Sequence, residues 1–359
     1  MCLSLLLFML STVSPVAADD PTPLWTVVYL HPSPTKESDA FSASGGRQGG
    51  YKTVRAYGRR QRHPILWDAS GDDYVDLLPE GMRMGVIYGM NGEWQVGEIR
   101  SLSEGPFATL WHGTVESLVD LTPGFPYICA YARAVAGAQQ VGAACSWTDG
   151  MLHAALWFGT PESFVDLHPA VARWSEAYAT DGEHQGGRVD INDPDIGIHA
   201  GLWRSSAESF MDMNPEGARE SVILGMAPGV QVGWGIFEGR NLAVLWHGTP
   251  ESAIVMNPAD AYHSQLYATT GTFHAGYVTH GFGSAEAGLW IGDVPESFIN
   301  LQDYLAPDGY YASVAKAITE HEGRLYVVGS AASPRGRHEA ILWIGRVPRT
   351  TGPIRRPCP

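Results

Sequence analysis

Short runs of alternating apolar and polar residues, separated by Gly or Pro-Glu-Ser turns, fill most of the chain. Such runs predict β-strands with one buried face, and no segment shows the period of a sustained helix. Each unit contains four runs: one of small residues and Tyr, one with Gln-x-Gly, one with Leu-Trp and one resembling Phe-Val-Asp-Leu. Four strands in a unit of about 45 residues are typical of a β-propeller blade.

The unit is repeated seven times. The clearest copies are HAALWFGTPESFVDLHP, from His153 to Pro169, and HAGLWRSSAESFMDMNP, from His199 to Pro215. One tryptophan anchors each copy: Trp67, Trp111, Trp157, Trp203, Trp246, Trp290 and Trp343. The sequence therefore predicts an all-β, seven-bladed β-propeller, with blades about 36–79, 82–123, 126–169, 173–215, 219–258, 262–301 and 311–344 plus 25–31.

The two ends of the repeat array predict how the ring closes. The seventh copy lacks its fourth strand, and a spare strand of matching character, Trp25 to Pro32, precedes the first copy. An N-terminal strand that completes the last blade leaves no open sheet edge. The alternative is a plain ring of seven copies without a shared blade.

The repeated core resembles the HAF-type extracellular repeat, over about residues 25 to 348. The resemblance rests on the HAxLW core, the Gly turn and Asp-Leu strand that follow it, and the Gln-x-Gly strand upstream. The His of that motif is matched at His63, His153 and His199. The resemblance implies an exported β-propeller repeat protein and no established activity.

The repeated polar and aromatic residues are expected to be structural. Seven tryptophans at one register should pack between neighbouring blades. The recurring glutamines, replaced by His274 in the sixth copy, need hydrogen-bond partners and should bond a neighbouring loop. The three motif histidines lie in different blades, which argues against a three-histidine metal site and favours hydrogen-bonded structural residues.

Composition and charge narrow the choice of partner. The 359 residues carry 23 Lys and Arg against 38 Asp and Glu, a formal charge of −15, which argues against nucleic acid as a partner. Residues 1–18 resemble a secretory signal peptide, because the apolar stretch from Leu3 to Val13 is too short to span a bilayer. We therefore expect a secreted, periplasmic or extracellular monomer without a transmembrane segment and with a flexible tail at 349–359.

The cysteines are compatible with export. Cys129 and Cys145 lie eight residues on either side of Gly137 in a predicted hairpin turn. They would face each other across two strands, either as a disulfide or as two small buried thiols. Cys358 would then be the unpaired thiol.

Candidate binding residues lie where the copies differ. Arg55, Arg59, Arg60 and Arg62 form a basic segment suited to an anion or acidic glycan, or simply a solvated loop. No cofactor is expected, although Asp190, Asn192, Asp193 and Asp195 offer oxygen atoms that could bind Ca²⁺ in a loop without the closing Glu of an EF-hand. The stretch from Gln302 to Tyr311 is either a lid or a longer connection. The arginine segment, the aspartate segment and this stretch are predicted to lie on one face of the propeller, and any binding site is expected on that face.

Three functions remain open from the sequence. The first is a non-catalytic propeller that binds a glycan or protein through that loop face. The second is a polysaccharide hydrolase or lyase at the channel mouth, for which Asp39 and Glu176 are the candidate carboxylates. The third is a purely structural cell-surface module. No G-x-S-x-G, H-E-x-x-H or P-loop sequence occurs in the chain, so catalysis is the less favoured reading.

Overall fold

The computed structural model describes residues 25–346, apart from 33, 34, 36, 57, 69, 72, 102–104 and 192–196. The predicted signal peptide and the predicted tail lie outside these residues. The described chain forms seven four-stranded antiparallel sheets arranged as the blades of a propeller, which confirms the predicted fold. Among the described residues, no helix has the length and apolar character that crossing a membrane requires.

Each blade runs from an innermost to an outermost strand in chain order. Blade 1 contains β2 (Ser38–Ser44), β3 (Arg47–Ala56), β4 (Arg59–Trp67) and β5 (Tyr74–Asp76). Blade 2 contains β6 (Met84–Asn91), β7 (Trp94–Arg100), β8 (Pro106–Trp111) and β9 (Val119–Asp120). Blade 3 contains β10 (Tyr127–Ala136), β11 (Gln139–Ser146), β12 (Leu152–Trp157) and β13 (Val165–Asp166). Blade 4 contains β14 (Ala172–Thr180), β15 (Gln185–Ile191), β16 (Ile198–Trp203) and β17 (Met211–Asp212). Blade 5 contains β18 (Ser221–Ala227), β19 (Val230–Phe237), β20 (Arg240–Trp246) and β21 (Ile254–Val255). Blade 6 contains β22 (His263–Thr269), β23 (Phe273–Thr279), β24 (Glu286–Ile291) and β25 (Ile299–Asn300).

Blade 7 is built from both ends of the chain. It contains β26 (Ala312–His321), β27 (Arg324–Ala332) and β28 (His338–Arg346), and β1 (Trp25–Tyr29) supplies its outermost strand. The pairing of β1 with β28 runs from Trp25 opposite Gly345 to Tyr29 opposite Ile341. The predicted closure is therefore confirmed, and the plain seven-copy ring is excluded.

Short 3-10 turns connect the third and fourth strands of the central blades. They follow the Pro-Glu-Ser sequence or its variants, and further 3-10 turns lie in the long connection before blade 7. In the five turns between third and fourth strands, the final serine accepts a hydrogen bond from the residue after the anchoring tryptophan, as Ser163 Oγ does from the Phe158 N–H at 2.8 Å. Their bounds are Val115–Ser117, Pro161–Ser163, Ala207–Ser209, Pro250–Ser252, Pro295–Ser297, Gln302–Tyr304 and Ala306–Asp308.

The seven anchoring tryptophans are buried between blades, as predicted. Each is at most 1% exposed and packs against the blade that precedes it in the ring. Trp157 of blade 3, for example, belongs to an apolar cluster with Val96 and Leu110 of blade 2. Because a tryptophan side chain buries a large apolar area, these seven contacts are the main source of apolar burial between blades.

Most of the repeated polar residues have the partners that their burial requires, although Gln48 Oε1 and His274 Nε2 have none. The Gln95 side chain accepts a hydrogen bond from the Gly113 N–H at 2.8 Å, and the glutamines of blades 3, 4 and 5 accept the equivalent bond, so these four do bond a neighbouring loop. His153 Nδ1 lies 2.8 Å from Asp166 Oδ2, and His63 and His199 have the same relationship to the aspartates 13 residues further on. The His of the third strand and the Asp of the fourth are therefore one structural pair.

Cys129 and Cys145 face each other across β10 and β11 and form a disulfide. Their Cα atoms are 5.0 Å apart. The hairpin predicted around Gly137 therefore has the expected register. Of the two alternatives for these cysteines, a disulfide or two buried thiols, the structure contains the disulfide.

Candidate functional site

A ring of seven side chains lines the central channel at one level. Each innermost strand contains a β-bulge, at which one extra residue lies opposite the second strand. A bulge turns its extra side chain out of the regular alternation. The bulge residues are all partly exposed and each follows a buried residue, and we call them the channel ring: Phe41, Tyr88, Arg133, Tyr178, Leu224, Tyr267 and Lys316.

One glycine per blade permits this bulge. In blade 1, a Cβ atom on Gly50 would lie 1.9 Å from the Asp39 carbonyl oxygen, so no other residue fits against the bulged strand. The glycines at the same position of the other six blades meet the equivalent carbonyl at 1.8–2.0 Å. The Gly of the repeated Gln-x-Gly run is therefore the residue that allows the channel ring to form.

The channel ring forms the inner part of a cavity of about 370 Å³. The remaining lining comes from the ends of the innermost strands, including Ser44, Asn91 and Thr269, which lead into the hairpins between first and second strands. The cavity therefore opens at the hairpin end of the blades. This differs from the expectation that any site lies on the opposite face, which carries the links between second and third strands.

Arg133 is held in place by a carboxylate of the next blade. Its Nε and Nη2 atoms donate to Glu176 Oε1 at 3.2 and 3.1 Å, and its guanidinium lies 4.4 Å from the ring centroid of Tyr88. Burial is the largest single influence and opposes its charged form, but the Glu176 carboxylate and the neighbouring tyrosines together outweigh burial and raise the Arg133 pKa. Arg133 is thus a permanent cation set among aromatic rings.

Glu176 is fully occupied by its neighbours. Its second oxygen accepts hydrogen bonds from Arg188 Nη2 at 3.0 Å and from the Tyr178 hydroxyl at 2.6 Å. The side chain is 2% exposed. Burial, followed by the Glu176 charge, raises the Tyr178 pKa, so this hydroxyl stays protonated and keeps donating.

Lys316 forms the second cationic point of the channel ring. Its ammonium group donates to Asp39 Oδ2, and it lies 4.5 Å from the ring centroid of Phe41. Asp39 Oδ1 is buried and has no hydrogen-bond partner. The two carboxylates proposed from the sequence, Asp39 and Glu176, therefore lie at equivalent positions of blades 1 and 4 and each holds a channel cation.

The arginines proposed for binding lie on the hairpin of β3 and β4, away from the cavity. Arg60 forms an ion pair with Glu37 at 2.9 Å, and the Arg62 guanidinium lies 4.6 Å from the ring centroid of Tyr51. Arg55 lies opposite Arg60 in the strand pairing, so Arg55, Arg60 and Arg62 share one face and Arg59 lies on the other. All four are exposed.

The other two variable segments have different outcomes. Of the calcium ligands suggested by the sequence, only Asp190 lies within the described residues, 4.0 Å from Arg173, and Asn192, Asp193 and Asp195 lie outside them. The stretch from Gln302 to Tyr311 packs against the closing strand, because Tyr310 stacks on Tyr29 at 5.5 Å. It is a packed connection, beside a second cavity of about 500 Å³ lined in part by Arg335 and Arg337.

Sequence reasoning missed the channel ring, although its signal is present. In each first run, one large residue stands between small or apolar neighbours, as Tyr178 does in SEAYAT and Lys316 does in SVAKAI. A bulge moves that residue to the channel, whereas simple alternation does not assign it a direction. The conserved register of the second-strand glycine would have marked the bulge in every blade.

No protein-family model and no curated protein matches the chain. The resemblance to HAF-type repeats therefore stays a prediction. Solved structures similar to this chain include a puromycin hydrolase, with 15% identity, 87% of this chain and 54% of that chain covered, and a TM-score of 0.57. Others are the β-propeller domain of the Trilobed protease from Pyrococcus furiosus (10% identity, 89% and 98% covered, TM-score 0.58) and a Pyrococcus horikoshii acylaminoacyl peptidase (9%, 88% and 52%, 0.54).

The comparisons correct the function expected from the sequence. This chain spans about half the length of the puromycin hydrolase and the acylaminoacyl peptidase, and at these identities the likeness shows the fold alone. The structures named here belong to a puromycin hydrolase, a protease and an acylaminoacyl peptidase, so the expectation of a glycan-binding propeller is corrected by this comparison. The polysaccharide hydrolase or lyase and the purely structural module find no support in it either. What the chain shares with these proteins is a β-propeller fold.

Proposed function

We propose that this protein is a peptide-binding propeller that takes up a carboxylate-bearing peptide segment through the hairpin end of its central channel. The observation that carries the proposal is the channel ring, which combines four aromatic side chains with two cations at one level. Arg133 lies between Tyr88 and Tyr178, and Lys316 lies between Tyr267 and Phe41 in the order of the blades. Each cation therefore has an aromatic neighbour on either side.

The charge of the lining favours an anionic ligand. Among the described lining residues, Asp181 is the only carboxylate, and it accepts hydrogen bonds from the backbone N–H groups of Glu183 and His184. Arg133 and Lys316 face the cavity with N–H donors, which match a carboxylate. The aromatic rings and Leu224 offer apolar contact to the side chains that flank it.

The cavity suits the end of a peptide better than a folded domain. Its volume of about 370 Å³ falls at the lower end of the range for ligand pockets. Towards the mouth, the wall includes small residues such as Ser44 and Ala136. An extended segment entering along the axis would meet these residues first and the cations last.

The fold comparison agrees with a peptide ligand. Three similar propellers belong to a puromycin hydrolase, the Trilobed protease and an acylaminoacyl peptidase. The described chain contains the propeller portion alone, so the role we propose is to bind or admit a peptide. A peptidase that acts together with this propeller would be its natural partner.

We also propose that the protein is exported. The apolar stretch near the N-terminus, the disulfide between Cys129 and Cys145 and the HAF-like repeats support this location. Mass spectrometry of the protein recovered from the producing cell tests it: a mature chain starting close to Asp19 is expected. A cytosolic chain that retains residues 1–18 would contradict export.

Calorimetric titration with three forms of one short apolar peptide tests peptide binding. The forms are a free C-terminal acid, its C-terminal amide, and the amide with a Glu added near the end. The acid should bind at least tenfold more tightly than the amide, because a hydrogen bond to a charged group contributes about 1.5–3 kcal/mol. Recovery of affinity by the Glu-containing amide would identify any carboxylate as sufficient.

Two variants link that affinity to the channel. Arg133→Gln leaves Glu176 bonded to Arg188 and Tyr178, and the double variant Asp39→Asn, Lys316→Gln removes a channel cation without stranding its buried partner. Both should lower affinity for the acid about tenfold or more and leave that for the amide unchanged. Arg219→Gln, at an exposed ion pair with Glu220, is the matched control. Equal affinity for acid and amide, or an unaffected Arg133→Gln variant, would contradict the proposal.

A further inference from the structure

Blade 3 carries a cluster of histidine and carboxylate side chains far from the channel ring. His153 Nε2 lies 2.9 Å from Asp149 Oδ2, and its ring stacks on that of His168 with centroids 3.9 Å apart and planes inclined by 7°. Ligand-type atoms of Asp149, His153 and His168 all lie within 4.8 Å of one another. Two imidazoles and a carboxylate at this spacing form the donor set that Zn²⁺ and similar ions prefer.

The Nδ1 atom of each histidine has a hydrogen-bond partner that fixes the orientation of its ring. His153 Nδ1 lies 2.8 Å from Asp166 Oδ2, which also accepts a hydrogen bond from the Tyr127 hydroxyl at 2.7 Å. His168 Nδ1 lies 2.9 Å from Ser175 Oγ of blade 4. Because a metal-bound imidazole usually has its second nitrogen held by a carboxylate or hydroxyl, this arrangement supplies the outer partners of a metal site.

The charge of the cluster is complementary to a divalent cation. Asp149 and Asp166 approach the His153 ring from its two nitrogens, and with both imidazoles neutral the cluster carries two negative charges. Binding of one divalent ion would neutralise it and would displace any proton shared between His153 and Asp149. Ser175 can accept from His168 Nδ1 as well as donate to it, so His168 can present its other nitrogen to the ion.

We propose that Asp149, His153 and His168 form a binding site for a divalent transition-metal ion of the Zn²⁺ type. Asp149 lies in the turn between β11 and β12 and is exposed, which gives the ion access from solvent. Because the His153 and His168 rings are stacked almost parallel, their nitrogen lone pairs do not point at one common position. Binding of one ion by both rings therefore requires the His168 side chain, which is only partly buried, to rotate out of the stack. A solvent molecule would complete a tetrahedral set.

The chain offers variants that separate metal binding from folding. The position of His168 is occupied by Asn214 and Asn257 in the next two blades, where the Asn side chain holds the equivalent serine at 2.6 and 2.7 Å. His168→Asn should therefore keep the interblade contact and lose a metal ligand. His199→Ala is the matched control, since His199 and Asp212 form the same His–Asp pair in blade 4 beside Asn214.

The test uses the full chain with Cys2 and Cys358 replaced by serine and without an affinity tag. Co²⁺ is the spectroscopic probe, and Zn²⁺ is the competitor. We expect one Co²⁺ per chain with visible absorption, its displacement by Zn²⁺, and at least a tenfold loss of affinity in Asp149→Asn and His168→Asn. His199→Ala should bind metal like the parent chain.

Two outcomes would overturn the site. One is no Zn²⁺ or Co²⁺ binding at 1:1 stoichiometry by a parent chain whose circular dichroism and melting temperature show that it is folded. The other is equal affinity in His168→Asn and the parent, which would place the bound metal elsewhere. Neither result depends on peptide binding in the channel.

Discussion

Ser38 Oγ accepts a hydrogen bond at 2.9 Å from the backbone N–H of Ala340, and so joins blade 1 to blade 7 across the closure of the ring. The same bond joins four other pairs of successive blades. Its serines are Ser175, Ser221, Ser264 and Ser313, which accept from Ala154, Ala200, Ala243 and Ala287. These side chains are buried, and each strand-three N–H at this position would otherwise be unsatisfied.

Replacement of such a serine should therefore cost stability. Ser221→Ala leaves the Ala200 N–H and Asn214 Oδ1 without their partner and is expected to lower the free energy of unfolding by about 1–3 kcal/mol. Urea denaturation measures the loss, and hydrogen exchange should show faster exchange at the Ala200 amide. Ser206→Ala, whose side chain makes no such bond, is the control. An unchanged Ala200 exchange rate in Ser221→Ala would rule out the interblade bond.

The closing strand depends on close contact between Trp25 and Gly345. A Cβ atom on Gly345 would lie 2.6 Å from the Trp25 ring, which is 5% exposed. Gly345→Ala should displace that ring and weaken the packing of β1. The free energy of unfolding is expected to fall by an amount approaching the roughly 3–5 kcal/mol typical of removing a buried Trp. The readouts are the melting temperature and the rate of proteolysis near residue 25.

A double-mutant cycle identifies the cause of that loss. Because the expected clash needs both residues, adding Gly345→Ala to Trp25→Ala should cost much less than Gly345→Ala alone. Additive effects would instead assign the loss to backbone changes in β28.

His274 should make stability depend on pH. Burial lowers its pKa to about 4, against about 6.5 in the unfolded chain. Between these values the unfolded state binds a proton that the native state does not, so stability falls as pH decreases from 6.5 to 4. The loss attributable to this group is about 3 kcal/mol when complete and absent above pH 7.

Glutamine tests this directly, since five other blades have Gln at the same position. His274→Gln should match the parent chain at pH 7.5 and become progressively more stable than it towards pH 4, as measured by denaturation at each pH. The exposed His112→Gln serves as control. A constant difference between His274→Gln and the parent at all pH values would refute the assignment.

The disulfide should contribute measurably to the stability of blade 3. Replacing Cys129 and Cys145 by alanine is expected to lower the free energy of unfolding by roughly 3 kcal/mol, from the entropy of a closed loop of about 15 residues. Reductant should destabilise the parent chain by a similar amount and leave the double variant unaffected. Equal stability with and without reductant would show that the bridge constrains little.

The sequence predicted the features that repeat and missed those that depend on neighbouring blades. The seven tryptophans and the spare strand at Trp25 predicted blade number and closure, because both follow from a period of the chain. The pairing of His153 with Asp166 was also readable in principle, since His63 and His199 have an Asp at the same spacing.

The sites were harder to predict because they depend on residue types that differ between the copies. Arg133 enters the channel through a bulge, and its partner Glu176 comes from the next blade. His168 meets His153 only because the turn after β13 folds back over β12. Both positions recur from blade to blade, but the charged or ligating residue types occupy them in only some copies, so the candidates chosen from exposed charge patterns lie elsewhere.

The shared blade also determines how the ring responds to a pulling force. Trp25 lies opposite Gly345, so residues 25 and 346 leave blade 7 at the same end of the β1–β28 pair. Tension between these two points would break the hydrogen bonds of that pair one after another, as in a zipper, instead of loading them together in shear. A propeller anchored at both ends would therefore open at blade 7 under a small force, while the other six blades remained folded.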